Sequence, residues 1–518
     1  MQDACFEVES VKPFSESLFW QFNRDFYQEL GISAWSDNIV PHHMTSNSMV
    51  GKTYAELIFG ILRDLAEKGE KTERVYLLEL GAGHGRLAFH VLQHLEKLID
   101  SSKVPLPPYC YILSDIAEDN LSFFLHHPQF QKYLAKGVLD VCYFDAFDSR
   151  KLALRYAKKT INKNELSQPV VAIGNYFFDS IPTDLLHFEK QKVSSCKVSI
   201  QSNENPAELS REELIKKISF SYETKVETDA IYNDTVIDNI VESYRQSLSN
   251  SFLFFPRKSF TCLDNIEALS TEGIILLSMD KGFHELHKLD NKQVPDIIMH
   301  GSFSLWVNYH ALGEYCTRNG GTALFPNYSN FHLEIACLLM CKDSKEYKHT
   351  NSAYQYFVDD FGPDDFNSFK QFAYGNISRL QLREILALIR LSAYDSIFFI
   401  KLLPGIKRAA KSISVDERPR LAQTMNRVWE MYFDIKESFD LAYEIGGLLY
   451  DLGYYENAIQ FFKRSTKAFG QQADIMYNEV LCLYQLKQDR SFYNLLEQAK
   501  ELFPENEMIK SLSNLNMD

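Results

Sequence analysis

Val75-Tyr-Leu-Leu-Glu79-Leu-Gly-Ala-Gly-His-Gly85 decides how the rest of the chain is read. Its first half is an apolar run of strand length. Its second half sets three glycines at alternate positions, just before an amphipathic stretch from about Arg86 to Leu98 that reads as a helix. Strand, glycine turn and helix in that order form part of a crossover unit in a parallel sheet. Glycine suits the turn because it lacks a Cβ, so the backbone bends tightly and lets a ligand come close. Amides at the start of the following helix suit a carboxylate or a phosphate. The dinucleotide fingerprint Gly-x-Gly-x-x-Gly is missed, since the third glycine comes two residues after the second and position 86 is arginine.

Outward from this segment, short apolar runs recur at Tyr109 to Leu113, Val138 to Tyr143, Val170 to Ile173 and Ile274 to Ser278. The spacing predicts a parallel sheet with crossover helices. The second run ends at Asp115-Ile116 and the third at Asp145-Ala146. An acid at the second tip can accept hydrogen bonds from both ribose hydroxyls of a nucleoside. One at the third can accept from an adenine amine. Taken singly, each acid is an ordinary solvated loop residue. Acids at successive strand tips in this order point to a nucleoside site.

The order acid–x–Gly–x–Gly–x–Gly from Glu79 resembles motif I of the class I S-adenosylmethionine-dependent methyltransferases. The fourth strand, Val170-Val-Ala-Ile-Gly-Asn-Tyr-Phe-Phe-Asp-Ser-Ile-Pro182, resembles the NE-x-F-D-A-x-P segment of the MidA-like methyltransferases, a family linked to assembly of mitochondrial respiratory complex I. Gly273-Ile-Ile-Leu-Leu-Ser-Met-Asp-Lys-Gly282 is similar to that family's strand ending in DYG, and the segment His300 to His310 to its DLTAHVDF. Met44-Thr45 and Gly51 are loosely similar to its entry segment. The resemblance spans about Phe14 to Pro326, without an insertion at about 191–250.

It implies an α/β fold: a Rossmann-like class I methyltransferase sheet with flanking helices. It also implies S-adenosylmethionine as cofactor and S-adenosylhomocysteine as product. The cofactor-binding positions it implies are Glu79, Gly81, Ala82, Gly83, Gly85, Asp115, Ile116, Asp145, Ala146 and Asn175. The reaction it implies is methyl transfer to a protein side chain, by family the arginine guanidinium. Placement of the acceptor in line with the electrophile is then most of the catalysis. A guanidinium acceptor also needs carboxylates to hold it. Here the chain departs from the family: Tyr176 stands for the Glu of NE, Ser302 and Ser304 for the Asp and Thr of DLT, and Val307-Asn308-Tyr309 for VDF. Asn175, Tyr176 and Asp179 are the expected catalytic residues of the acceptor pocket, with Tyr176 as wall or hydrogen-bond partner. The structural alternative has Asp179 capping the next helix and Tyr176 in the core.

The domain pattern predicts a helical cap over 1–70 and a methyltransferase domain over 71–330. A helical region is expected over 331–435, where strand signals fade, and tetratricopeptide-like repeats over 436–518. Gly446, Gly453, Ala458 and Phe462 occupy positions that such a repeat gives to small and aromatic residues. Val480, Leu496, Ala499 and Pro504 follow in a degenerate second unit, with Phe492 where a small residue is usual. A generic helical hairpin is the plainer alternative.

The chain has 518 residues, a formal charge of −15, and 38 Phe with 28 Tyr. The charge argues against a nucleic-acid partner, and a protein substrate or partner on the repeats is expected, with a homodimer also open. Nine scattered cysteines fit a reducing compartment. Cys337 and Cys341, four apart in a helical pattern, read as core rather than metal ligands. His42-His43, His126-His127 and His284/His287 lack a recognisable metal spacing, and only His84 is placed beside a ligand. The acidic N-terminus shows no signal or transit pattern, and the apolar stretch Ile385 to Ile406 is too interrupted to span a bilayer. A cytoplasmic enzyme without a metal or a membrane span is expected. Two other readings stay open: a small-molecule methyltransferase, and a cofactor-binding scaffold without transfer activity.

Overall fold

Seven strands form the central sheet because their side chains are apolar on both faces. They are β1 (Val75–Glu79), β2 (Tyr109–Asp115), β3 (Leu139–Tyr143), β4 (Val170–Asn175), β5 (Gly273–Asp280), β6 (Thr322–Leu324) and β7 (Glu334–Cys341). Every residue of β1 and β5 is buried. The order is β3-β2-β1-β4-β5-β7-β6. Strands β1 to β5 pair in parallel, while β7 runs antiparallel to both β5 and β6. The structure is a computed structural model that describes residues 6–37, 39–40, 44–69, 72–147, 150–295, 297, 302–303, 305–330 and 333–515. It divides into two compact units, 1–367 and 368–518.

Three helices of the first unit position the site: α1 (Leu18–Leu30), α2 (Ser48–Glu67) and α3 (Arg86–Ser101). α2 and α3 cross closely at Gly51, where a Cβ would lie 2.3 Å from the Cβ of His90. Glycine is what permits that approach.

A second, antiparallel sheet stands beside the first. Its strands run in the order Phe6–Pro13, Lys192–Ser202, Asp184–Glu189, Asn250–Phe255, and Ile218–Val226 also pairs with Lys192–Ser202. The expected insertion at 191–250 therefore gives this sheet the strands Lys192–Ser202 and Ile218–Val226, with Thr235–Ser247 as its main helix. Nor is the expected cap over 1–70 purely helical, because Phe6–Pro13 is an edge strand of this sheet. Phe14, Phe19, Trp20 and Phe22 pack on it against Val198, Ile200, Phe254 and Phe303. The Phe14 and Phe254 rings stack at 5.8 Å, and Phe19 meets Phe303 at 4.9 Å.

The expected fading of strand signals after 331 is corrected by β7, whose Cys337 lies opposite Leu277 of β5. Cys337 and Cys341 are strand residues, because an apolar run such as Glu334–Cys341 fits either periodicity and sheet pairing decides between them. The helical unit correspondingly starts near 368 rather than 331.

Within that unit, the interrupted apolar stretch resolves into Leu382–Leu391 and Ser396–Ala410, the latter with Pro404 inside it. After Arg418–Glu430 come Leu441–Asp451, Tyr455–Phe469, Ala473–Gln485 and Asp489–Leu502, then the short Glu507–Ser511. Leu441–Asp451 and Tyr455–Phe469 cross at Gly446, where a Cβ would meet the Phe462 ring at 2.7 Å. Ala458, Val480, Phe492 and Ala499 are fully buried. Gly446→Val should lower the stability of this unit by about 1–3 kcal/mol through overpacking. Gly447→Ala, where a Cβ meets nothing within 4 Å, should raise it by about 0.5–1 kcal/mol. Thermal unfolding of the two variants checks this, and equal melting temperatures would refute the crossing.

Candidate cofactor and acceptor site

The sheet order reverses at β1, which has β2 on one side and β4 on the other. In open α/β sheets the crevice beyond the carboxyl ends of the strands at such a point receives the ligand. A cavity of about 760 Å³ occupies that place, and residues after β1, β2, β3 and β4 all line it.

The turn after β1 needs its glycines. Gly81, Gly83 and Gly85 have φ of 63°, 60° and 75°, a region that other residues enter only at a cost. A Cβ on Gly81 would approach the Phe177 ring at 3.2 Å, and one on Gly83 the Trp35 indole at 2.9 Å. Gly81, Ala82, Gly83 and His84 reach the cavity, but Gly85 is not among its lining residues. Gly85 instead starts α3, with the Phe124 and Phe130 rings packed where its Cβ would be. His84 Nδ1 accepts from the Arg86 amide, and its ring meets Trp35 edge-on at 5.5 Å.

Asp115 holds this turn. Its Oδ2 accepts from the Gly83 amide at 2.8 Å and its Oδ1 from the Ala117 amide at 2.9 Å. Burial raises its pKa, and those amides work against the rise. Glu79 lies deeper, its Oε2 accepting from the Tyr111 hydroxyl at 2.8 Å, and burial pushes its carboxyl up to about 8. Ile116 and Ala146 also line the cavity. Asp145 is on the wall with partners of its own: its Oδ2 accepts from Arg24 at 2.6 Å and its Oδ1 from the Phe147 amide at 3.0 Å. Partial burial raises its pKa, but Arg24 and that amide outweigh burial and hold it below the usual range.

At the tip of β4, Asn175, Tyr176 and Asp179 all face the same cavity. Asn175 Nδ2 donates to the Thr45 carbonyl at 3.0 Å, and the Tyr54 hydroxyl donates to Asn175 Oδ1 at 3.4 Å. Tyr176 sits at φ 50°, and its amide donates to the Met279 carbonyl at 2.9 Å. A bulky residue in that region costs about 1–3 kcal/mol. Asp179 lies inside the short 3-10 turn Phe178–Ser180 rather than capping a helix, and Tyr176 is half-buried on the cavity wall. Of the later segment, Ser302 reaches the cavity and hydrogen-bonds Tyr27. Asn308 instead caps the helix Tyr309–Arg318, accepting from the Ala311 amide. His300, Ser304 and His42-His43 lie outside the described residues.

One whole wall was not foreseen. Trp20, Asn23, Arg24 and Tyr27 of α1 line the cavity, with Trp35 beyond them. Their spacing, i, i+3, i+4, i+7, is one helical face, and this mixed polar and aromatic face was the available signal. The opposite face, Phe19, Phe22 and Phe26, is buried. Lys281, at the end of β5, is a further lining residue that sequence reading passed over.

Asp64, Glu67 and His349 bring one potential ligand atom each within 4.8 Å of one another. They are accounted for structurally: Asp64 accepts from the His349 and Thr350 amides, and Glu67 pairs with the His349 ring at 2.7 Å. His284 pairs with Glu334 at 2.9 Å, and His126 bonds the Ser122 carbonyl. Among the described residues no helix is long and apolar enough to cross a membrane.

Residues 58–288 match the family described as "Putative S-adenosyl-L-methionine-dependent methyltransferase". No curated protein matches the chain. Two solved structures from Burkholderia thailandensis are similar. One, an uncharacterized protein, is 12% identical over 65% of this chain and 90% of its own, with a TM-score of 0.40. The other, described as a likely methyl transferase bound to S-adenosyl-homocysteine, is 14% identical over 67% of this chain and 83% of its own, with a TM-score of 0.39. The family match assigns S-adenosylmethionine-dependent methyl transfer to this protein, with S-adenosylmethionine as cofactor. The residues present fit that group. Asp115 and the buried Glu79 carboxyl both line the cavity beside the glycine turn, where they would meet the hydroxyls and the ammonium of the cofactor.

Gly83→Val and Asp115→Ala should each abolish cofactor binding measured by calorimetry, and full affinity in both would refute the site. Glu79 supplies a pH test. With its carboxyl near 8, the ligand-free protein carries the proton at pH 7. If the cofactor's ammonium favours the carboxylate, binding releases a proton and tightens as pH rises from 6 to 8. Calorimetry in buffers of different ionisation enthalpy checks this, and Glu79→Gln should erase the release.

Proposed function

We propose that this protein transfers the methyl group of S-adenosylmethionine to a side chain of a protein substrate, with arginine the acceptor implied by resemblance to the MidA-like family. The observation that carries the reading is that the β4 tip and the glycine turn share one cavity. Asn175, Tyr176 and Asp179 face it from one strand end, and Gly81 to His84 from the neighbouring one. The cofactor supplies a methyl group on a sulfonium, an electrophile whose sulfur keeps the bonding pair. What the chain must add is orientation and exclusion of water. Asn175 is oriented by Thr45 and Tyr54, so its amide is held rather than free to rotate. Trp20, Tyr27 and Trp35 close the cavity with apolar surface on its α1 side.

The helical unit is the recruiting element in this reading. Its paired helices, with small residues at the Gly446–Phe462 crossing, support a tetratricopeptide-like array. Such arrays hold extended peptides, so affinity and chemistry are divided between the two units.

Incubation with radiolabelled cofactor and a cell lysate tests the proposal. A labelled protein band is the expected result, whereas label confined to small molecules, or none despite cofactor binding, would overturn it. Removing 368–518 should reduce protein labelling about tenfold or more while cofactor affinity stays constant. Unchanged labelling would refute recruitment by the helical unit.

A further inference from the structure

Lys281 directly follows β5 and lines the cavity, and among the described residues its side chain has no hydrogen-bond or ion-pair partner. The other charged groups on the wall are engaged: Asp115 by two amides, Asp145 by Arg24, Glu79 by Tyr111, and Asp179 by the Ser180 hydroxyl at 3.1 Å. The Lys281 backbone, by contrast, is pinned. Its amide donates to Asp280 Oδ1 at 2.7 Å and its carbonyl accepts from the Val307 amide at 2.8 Å. Gly282 beyond it packs so closely that a Cβ would meet the Val307 carbonyl oxygen at 2.3 Å. A fixed base thus carries an exposed lysine side chain at the cavity. Lys281 is near enough to act on the Asp179 and Asp280 charges, yet it pairs with neither carboxylate.

Strand order gives this cation its place. Across the sheet the strands run β3, β2, β1, β4, β5. Their tips present to the cavity Asp145, Asp115, the glycine turn, then Asn175, Tyr176 and Asp179, and last Lys281. With the cofactor on the first three tips and the acceptor at β4, what lies at β5 is a further part of the substrate. An unpaired ammonium there calls for an anion. We propose that Lys281 selects the substrate by taking an acidic side chain, Asp or Glu, beside the methylated residue. It does so only if the acceptor is a protein, the reading proposed above. Neighbouring strands lie about 4.8 Å apart and an extended chain advances about 3.4 Å per residue, so the acid stands within about three residues of the acceptor. The charge is this chain's own, because the DYG segment that Asp280-Lys281-Gly282 resembles has tyrosine at the middle position.

A methyl-deuterated cofactor and a cell lysate, incubated with the full chain, mark the modified sites for mass spectrometry. Sites labelled by the wild type should carry Asp or Glu within about three residues. A synthetic peptide copied from the most heavily labelled site is then compared with a twin in which that acid is replaced by its amide. The wild type should prefer the acidic peptide about tenfold in kcat/KM, as a charge-assisted hydrogen bond allows. Added salt should shrink the preference. Lys281→Met should take the two peptides alike, and Lys281→Arg should keep the preference. Calorimetric affinity for S-adenosylhomocysteine should hold in both variants, which also shows that they fold. Labelled sites without an acid, a wild type indifferent to it, or a preference that survives Lys281→Met would overturn the proposal while leaving protein methylation intact. Affinity for S-adenosylhomocysteine lost in Lys281→Met but kept in Lys281→Arg would overturn it by assigning the cation to the cofactor's carboxylate. Absence of any labelled protein would instead overturn the reading on which it rests.

Discussion

Everything at the cofactor end depends on one carboxylate. Asp115 ties the glycine turn after β1 to the turn after β2 by accepting one amide from each. The turn it holds contains three residues at positive φ, a conformation with many loose alternatives in an unfolded chain and little intrinsic preference. Two charge-assisted hydrogen bonds in a buried place select one of them. The same two bonds align the β1 and β2 tips at the cavity floor.

The acceptor end is built by a different principle. It is a convergence of elements from distant parts of the chain: the tip of β4, the end of β5, the loop before α2, and one face of α1. Its polar groups are held by neighbours rather than by one turn, as Asn175 is by Thr45 and Tyr54. Tyr176 keeps its left-handed backbone because β5 accepts its amide, an example of local strain sustained by surrounding structure. The cofactor side is therefore a local motif, and the acceptor side a tertiary one.

This difference explains what could be read from the residues alone. β1 to β5, the glycine turn and the acids at successive tips were legible, since each is a contiguous signal of apolar run followed by turn. Strand β7 was not, because Glu-Ile-Ala-Cys-Leu-Leu-Met-Cys has no alternation and its pairing to β5 decides its form. The cavity-facing side of α1 was not, because its apolar residues satisfy a core-facing helix equally well. Gly85 fits the motif in sequence, yet it serves ring packing under α3.

The second sheet has a kinetic consequence. Its strand Phe6–Pro13 finds its partner only at Lys192–Ser202, with Glu7 opposite Gln201. Closing so long a loop is entropically expensive before any contact rewards it. During synthesis the first strand, and the aromatic side of α1 that rests on the same sheet, must wait until nearly two hundred residues have emerged. The wall that completes the cavity thus assembles only after Lys192–Ser202 has emerged. A nascent chain exposes Phe14, Phe19, Trp20 and Phe22 for that interval, a cluster suited to capture by a chaperone or by another unfinished copy.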